Sequence, residues 1–171
     1  MIETFVGGLR ANNCTVHGPL DETGALDCIV GLARDRSVAC NDDIPIAGLI
    51  DALRARDGGV LTPSEAGWHD RIATVALGIT GSSLAVAEPA AFALRAGPGA
   101  PRATSLLPPA HVCVVPVGAL VPTLAEAFDR ITELPSALTW VGGPSRTGDL
   151  EMIITLGVHG PRTVDVVLLA S

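Results

Sequence analysis

The apolar positions of the first half of the chain change spacing from one segment to the next. Residues 2–12, 26–33 and 46–56 have the spacing of helices, and Leu49, Ile50 and Leu53 lie on one face of the third. The glycine pair at 58–59 ends that helix, and short strands are predicted at 37–40 and 60–61. Strands that alternate with helices predict a parallel sheet covered by helices.

The second half is more apolar and less regular. Residues 73–79 and 84–96 are almost wholly apolar, apart from the polar segment at 80–83 and Glu88. After a loop rich in Gly and Pro at 97–110, we predict strands at 111–117, 139–141 and 164–169, and helices at 120–134 and 150–156. With no repeat or linker, residues 1–171 are predicted to form a single α/β domain with a mostly parallel sheet and helices on both faces.

Composition narrows the functional classes. The chain is 48% hydrophobic and 17% charged, which is typical of a folded protein. Its net charge of -7 argues against nucleic acid as the main partner. All 11 basic residues are Arg, so Schiff-base lysine chemistry and a Walker A phosphate loop are both excluded.

The cysteines and the apolar runs bear on cofactors and location. Cys14, Cys28, Cys40 and Cys113 are widely spaced and form no C-x-x-C pair, so we expect reduced thiols and no metal or iron–sulfur site in this chain. No apolar run reaches the roughly 20 residues of a membrane span. The N-terminus lacks the pattern of an export signal, and we expect a cytoplasmic protein.

Polar segments that interrupt apolar sequence are the candidate sites, because ligands of open α/β sheets collect at the carboxyl ends of strands. In the first segment, Thr80, Gly81 and Ser82 precede a predicted helical turn, whose N–H groups would bind a carboxylate or phosphate. The alternative is an ordinary helix cap.

Glu88 is the second candidate, because it is an acid within apolar sequence. Burial would raise its pKa toward values useful to a nucleophile or a base. A structural ion pair with Arg102 would explain the same residue, and Arg102 is therefore also a candidate ligand-binding group.

The third candidate spans residues 142–151. Its glycines and proline fix the backbone just before a predicted helix, and its polar residues would form an anion clamp centred on Arg146. The residues concerned are Gly143, Ser145, Arg146, Thr147, Asp149 and Glu151. The alternative is a capped helix in which Arg146 pairs with those acids.

Two histidines are candidate acid–base catalysts. His159 lies in a turn before the last predicted strand and His111 lies at a strand start. Either one would equally serve as a structural hydrogen-bonding residue. We expect Arg146, Glu88 and Thr80 to surround one cavity, with His159 or His111 at its edge.

Four sequence blocks resemble the signature of the LUD (lactate utilisation) domain family. They are GITG at 78–81, SLLPPAH at 105–111, GPSRTGDLE at 143–151 and GVHGPR at 157–162. Their order and spacing are similar to those of the family over residues 70–169. The first 65 residues resemble a shortened form of the family's N-terminal half.

The resemblance implies a fold like that of ribose-5-phosphate isomerase, glucosamine-6-phosphate deaminase and the CoA transferases. It also implies a role in oxidising L-lactate to pyruvate together with iron–sulfur partner subunits. The clusters would then lie in those partners and not in this chain, which would bind at most a small carboxylate or phosphate-bearing ligand.

One departure from the family pattern keeps other functions open. After Glu88 this chain has Pro89, Ala90 and Ala91, where the family commonly has a threonine, a glycine and a threonine. Pro and Ala stiffen this loop and remove hydroxyl donors. The alternatives are a non-catalytic small-anion-binding or scaffold domain, and a CoA-transferase or ligase that uses Glu88. Whether the chain is an enzyme stays open at this point.

Overall fold

Two β-sheets form the frame of the molecule. The computed structural model describes residues 1–56, 58–148, 154–156 and 159–170. The helices are α1 (Ile2–Ala11), α2 (Glu22–Leu32), α3 (Leu49–Arg54), α4 (Trp68–Arg71), α5 (Ala103–Leu106) and α6 (Leu124–Asp129). The strands are β1 (Cys14–Leu20), β2 (Val38–Cys40), β3 (Leu77–Gly81), β4 (Leu84–Glu88), β5 (Ala91–Ala96), β6 (Ala110–Pro116), β7 (Leu120–Thr123), β8 (Ala137–Val141), β9 (Arg146–Gly148), β10 (Ile154–Leu156) and β11 (Thr163–Leu169).

The larger sheet has five strands in the order β1-β11-β6-β3-β2, and all neighbouring strands are parallel. A second sheet of four strands has the order β7-β4-β5-β8, with β4 and β7 parallel and the other pairs antiparallel. The predicted α/β architecture with a mostly parallel sheet is confirmed.

Side chains alternate between the two faces of the parallel sheet, as β6 shows. Val112 and Val114 pack on one face with residues of α2 and α3. Cys113 and Val115 pack on the other face with residues of α1 and of the second sheet. Both faces are therefore buried, helices cover each of them, and strands of this kind read as continuous apolar runs.

The segment predicted as one helix over residues 120–134 is divided in the structure. Residues Leu120–Thr123 form β7, and the helix α6 covers only Leu124–Asp129. The side chain of Thr123 accepts a hydrogen bond from Glu126 N and caps the helix. The prediction was wrong for the first four residues, where a capping Thr and the preceding Pro122 set a later start, and for residues 130–134, which follow the end of the helix.

Three further local predictions differ from the structure. No helical turn follows Thr80 and Gly81, because residues 84–88 continue as β4. Residues 60–61 contribute a single isolated bridge, between Leu61 and Ala39, and not a strand. Of the helix predicted at 150–156, residues Ile154–Leu156 form β10, which pairs with β9, and residues 150–153 lie outside the described part.

The cysteines behave as buried thiols. Cys14, Cys40 and Cys113 are buried, Cys28 is half-buried, and none of the four forms a disulfide in the described chain. Burial raises the pKa of Cys14 to about 11 and that of Cys40 to about 12, so both stay protonated at neutral pH. Separately, no helix in the described ranges has the length and apolar character needed to cross a membrane.

Candidate functional site

A small cavity lies between the parallel sheet and the second sheet, at the amino-terminal ends of β6 and β11. Its volume is about 220 Å³. His111 at the start of β6 and Val164 at the start of β11 form part of one side, and Leu94 of β5 and Thr139 of β8 belong to the second sheet. Binding pockets for drug-sized molecules measure about 300–1,000 Å³, so this cavity suits a smaller molecule.

Three loops meet at the cavity and bring distant parts of the sequence together. The first contributes Arg102, just before α5, and Ser105 within α5. The second is the loop after β8 and contributes Ser145, and the third is the loop before β11 and contributes His159. Ser145 N donates to Pro161 O at 3.0 Å, which joins the second loop to the third. Arg162 N donates to Pro109 O at 2.8 Å, which joins the third loop to the start of β6. Backbone hydrogen bonds therefore hold the loops in place.

Close packing at two glycines shapes the same loops. A Cβ atom at Gly143 would lie 2.5 Å from Asn12 O, the residue that follows α1. A Cβ atom at Gly160 would lie 3.1 Å from Ser145 Cβ. Any larger residue at Gly143 would push the loop away from α1 and deform the cavity, so this glycine acts through packing.

His111 lies at the inner end of the cavity. Its side chain is 1% exposed, and its Nε2 is 2.9 Å from Thr80 Oγ1. The ring packs against Phe92, with 6.2 Å between ring centroids. Burial lowers the pKa of His111 to about 4, so the imidazole is neutral near pH 7. A neutral imidazole has one donor nitrogen and one acceptor nitrogen. The hydrogen bond with Thr80 Oγ1 holds the Nε2 of His111 toward that hydroxyl.

The mouth of the cavity is polar and carries a positive charge. Arg102 and His159 are exposed, and Ser145 is half-buried. A guanidinium binds carboxylates through two parallel hydrogen bonds, and a hydroxyl or an imidazole can bond to a second polar group of the same molecule. The arrangement can therefore bind a small anion that carries a further polar group.

The structure brings together five of the thirteen residues predicted as a site. Those that line the small cavity are Arg102, His111, Gly143, Ser145 and His159. Thr80 contacts the cavity only through its hydrogen bond with His111.

Glu88 and Arg146 do not join them, and the prediction that they share this cavity with Thr80 was wrong. Both side chains are exposed, and neither lines the small cavity. Glu88 ends β4, where its backbone pairs with Thr123 of β7. It is thus not the buried acid that its apolar neighbours predicted, and no ion pair joins it to Arg102 within the described residues.

Gly81 and Ser82 lie at the other end of the parallel sheet. Ser82 Oγ is 2.8 Å from both Leu84 O and Ala93 O, so this hydroxyl binds the backbone where β4 meets β5. Gly81 N donates to Asp43 Oδ1 at 3.1 Å. Both residues line a second, larger cavity.

The remaining predicted site residues are Thr147, Asp149 and Glu151. Thr147 belongs to β9, which pairs with β10, so its backbone is extended. Asp149 and Glu151 lie outside the described residues, and the proposed anion clamp around them stays a prediction.

Some residues that line the small cavity were not predicted from the sequence. Leu94 and Thr139 line the cavity but carry no sequence signal of their own. Ser105 also lines it, and this residue opens the SLLPPAH block, so the motif itself pointed to Ser105.

As for metals, no three His, Cys, Asp or Glu side chains are grouped as metal ligands in the residues that the structure describes. That iron–sulfur clusters belong to partner subunits stays a prediction.

Curated proteins similar to this chain are named for lactate utilization. The match to "Lactate utilization protein C" of an Exiguobacterium species is 36% identical over 99 residues, covering 54% of this chain and 43% of that protein. The protein of the same name from Bacillus subtilis is 33% identical over 102 residues, covering 56% and 42%. The matches thus span less than half the length of these curated relatives.

A solved structure extends the likeness to the whole fold. The crystal structure of a DUF162 family protein from Deinococcus radiodurans superposes with a TM-score of 0.70 and covers 98% of this chain and 95% of its own. The two are 21% identical, so this likeness concerns the fold alone. The model of the LUD domain family matches residues 2–169 of this protein. The chain belongs to the LUD domain family.

Proposed function

We propose that this protein binds L-lactate in the small cavity and takes part in oxidising L-lactate to pyruvate. It would act as a subunit beside partner chains that carry iron–sulfur clusters. The observation that carries the proposal is the cavity of about 220 Å³ in which Arg102, Ser145 and His159 meet. The name of the curated relatives, lactate utilization protein C, supports the choice of substrate.

The chemistry of lactate suits these groups. Its carboxylate would pair with the guanidinium of Arg102, and its 2-hydroxyl would bond to Ser145 or His159. Conversion to pyruvate releases two electrons and two protons. His159 would accept the hydroxyl proton as the C2–H bond breaks, the second proton would be released to water, and both electrons would pass to the partner chains that carry the iron–sulfur clusters. His111 stays neutral and serves to hold the inner wall with Thr80.

Calorimetric titration with L-lactate and pyruvate tests the binding step. Arg102→Gln should weaken binding about 10- to 100-fold, because a hydrogen-bonded pair with a charged group is worth about 1.5–3 kcal/mol. Arg54→Gln is the matched control, since Arg54 is an exposed residue of α3 and lies outside this cavity. Equal affinity of the Arg102→Gln protein and the parent would contradict the proposed site.

A growth experiment tests the role in the cell. A strain that lacks this protein should grow poorly on L-lactate, and the parent sequence should restore growth while the His159→Ala sequence should not. Normal growth of the deletion strain would rule out the lactate role. Lactate binding combined with normal growth would instead favour a non-catalytic small-anion-binding domain.

Glu88 receives no support as a nucleophile of CoA-transferase or ligase chemistry. Such a role needs the carboxylate inside a pocket with donors in reach. Its exposed position at the end of β4 does not meet this need in the described part of the chain.

A further inference from the structure

A larger cavity lies at the opposite, carboxyl-terminal end of the parallel sheet, and nothing in the lactate proposal uses it. Its volume is about 640 Å³, which is within the range of about 300–1,000 Å³ for small-molecule sites. The lining includes charged groups from three segments: Asp43 after β2, Arg95 near the end of β5, and Glu133 after α6. Gly81, the last residue of β3, and Ser83, two residues later, also line the cavity.

The chain topology explains why a crevice forms here. After β2 the chain continues to α3, which packs on one face of the parallel sheet. After β3 it continues to β4 of the second sheet, on the other face. The strands β2 and β3 are neighbours, so their two connections leave toward opposite faces just beyond Asp43 and Gly81, which are themselves joined by a hydrogen bond. Open α/β sheets bind ligands at such points, just outside the carboxyl ends of the strands.

Two of the three charged groups at this crevice, Arg95 and Asp43, have hydrogen-bonding capacity to spare. Arg95 donates from one nitrogen to Glu133 O at 3.2 Å, and across the described residues no carboxylate lies within ion-pair distance of its guanidinium. Asp43 accepts one bond from Gly81 N. Because a carboxylate accepts about four hydrogen bonds and a guanidinium has several donors, both can still bind a ligand.

The wall of the cavity is held in place before any ligand arrives. Asp42 N donates to Gly99 O at 2.9 Å, which ties the turn at 97–100 to the loop that carries Asp43. Gly99 has φ +73, and a Cβ atom there would lie 2.9 Å from Asp42 Oδ2, so the close approach needs glycine. A preformed site loses less entropy when it binds.

Much of the remaining lining is apolar and stiff. Pro45, Pro98 and Pro116 line the cavity together with Ala100. Proline rings present flat apolar surfaces on which a planar ring can lie. The site thus combines one cation, Arg95, with two carboxylates, Asp43 and Glu133, and an apolar floor.

We propose that this cavity binds a mononucleotide. Its phosphate would pair with Arg95, its ribose hydroxyls would donate to Asp43, and its base would rest on the prolines. The inference stands on the geometry at the carboxyl end of the sheet and is independent of the lactate proposal.

Binding of AMP, UMP and FMN to the purified protein tests this site, with adenosine and ribose 5-phosphate as probes that lack one half of the molecule. We expect at least one mononucleotide to bind saturably, and the phosphate-free and base-free probes to bind at least about 10-fold more weakly. Arg95→Gln and Asp43→Asn should each reduce affinity by about 10- to 100-fold. Asp43→Asn keeps an oxygen for the bond from Gly81 N, so the loop should stay folded.

Arg10→Gln is the control, because Arg10 is exposed on α1 and does not line this cavity. Circular dichroism and a thermal melt of each variant check that the fold is kept. The proposal is overturned if no mononucleotide binds saturably, or if folded Arg95→Gln and Asp43→Asn proteins bind as tightly as the parent.

Discussion

His111 shows how the environment of one residue sets its charge. A His at a strand start reads in the sequence as a candidate acid–base group, yet the structure buries the ring against Phe92 and Thr80. Its pKa falls from 6.5 to about 4, because burial penalises the charged form. Such a residue positions its neighbours at neutral pH and is a poor proton donor there.

The shifted pKa makes the stability of the protein depend on pH. The unfolded chain binds the proton of His111 below about pH 6.5, and the folded protein binds it only near pH 4. The contribution of the neutral ring to the free energy of unfolding is therefore complete above about pH 6.5, and it is lost as the pH falls toward 4. The loss should reach roughly 3 kcal/mol at the acid end.

Urea unfolding of the parent and of His111→Gln between about pH 4 and pH 7.5 measures this effect, and the difference in the free energy of unfolding should shrink as the pH falls. His69→Gln is the control, since His69 is exposed. A difference that stays constant with pH would show that His111 titrates normally in the folded protein.

At the scale of elements, Gly78 lets α5 approach the parallel sheet. A Cβ atom at this position would collide with the carbonyl of Thr104, in α5. Thr104 Oγ1 also donates to Asn41 Oδ1 at 2.6 Å, which ties the helix to the end of β2. Since α5 carries Ser105 into the small cavity, the packing at Gly78 also bears on the site.

Gly78→Ala should destabilise the protein by about 1–3 kcal/mol, because the helix must shift to admit the methyl group. A lower urea concentration at the midpoint of unfolding would show this loss of stability. Gly31→Ala is the control, because a Cβ atom at Gly31 has open space around it and lies in α2. Unchanged stability of Gly78→Ala would mean that α5 is free to move.

How much of the secondary structure could be read from sequence depended on whether an element has an exposed face. The helix α1 has exposed and buried sides, and its prediction over residues 2–12 is confirmed almost to the residue. The strand β4 has no exposed face before its last residue, because Leu84 and Val86 pack on one side of the second sheet and Ala85 and Ala87 pack on the other. Without alternation of polar and apolar positions, its type could not be assigned.

At the scale of the molecule, the motifs were found but their meeting place was not. The general rule for α/β sheets directs attention to the carboxyl ends of strands, and Gly81 does lie there. His111, Ser145 and His159 instead meet at the amino ends of β6 and β11. These residues meet because β11 lies beside β6 in the sheet, between β6 and β1. The order of strands in a sheet cannot be predicted from local sequence patterns.

The two cavities at opposite ends of the parallel sheet should bind independently. Protein saturated with a mononucleotide should bind L-lactate with an unchanged Kd, because the two lining sets share no residue. Calorimetric titration of L-lactate with and without the nucleotide measures this. A change in Kd greater than about 5-fold would indicate a coupling free energy of about 1 kcal/mol or more between the ends of the sheet.

The interior position of β11, between β1 and β6, also affects how the protein forms. This strand joins β1, near the start of the chain, to β6, near its middle. During synthesis β1 and β6 leave the ribosome long before their shared neighbour, so each exposes an unpaired edge until residue 169 has emerged. Open strand edges promote aggregation, and pairings so distant in sequence form slowly. The nascent chain should therefore depend on chaperones until the last strand has been made.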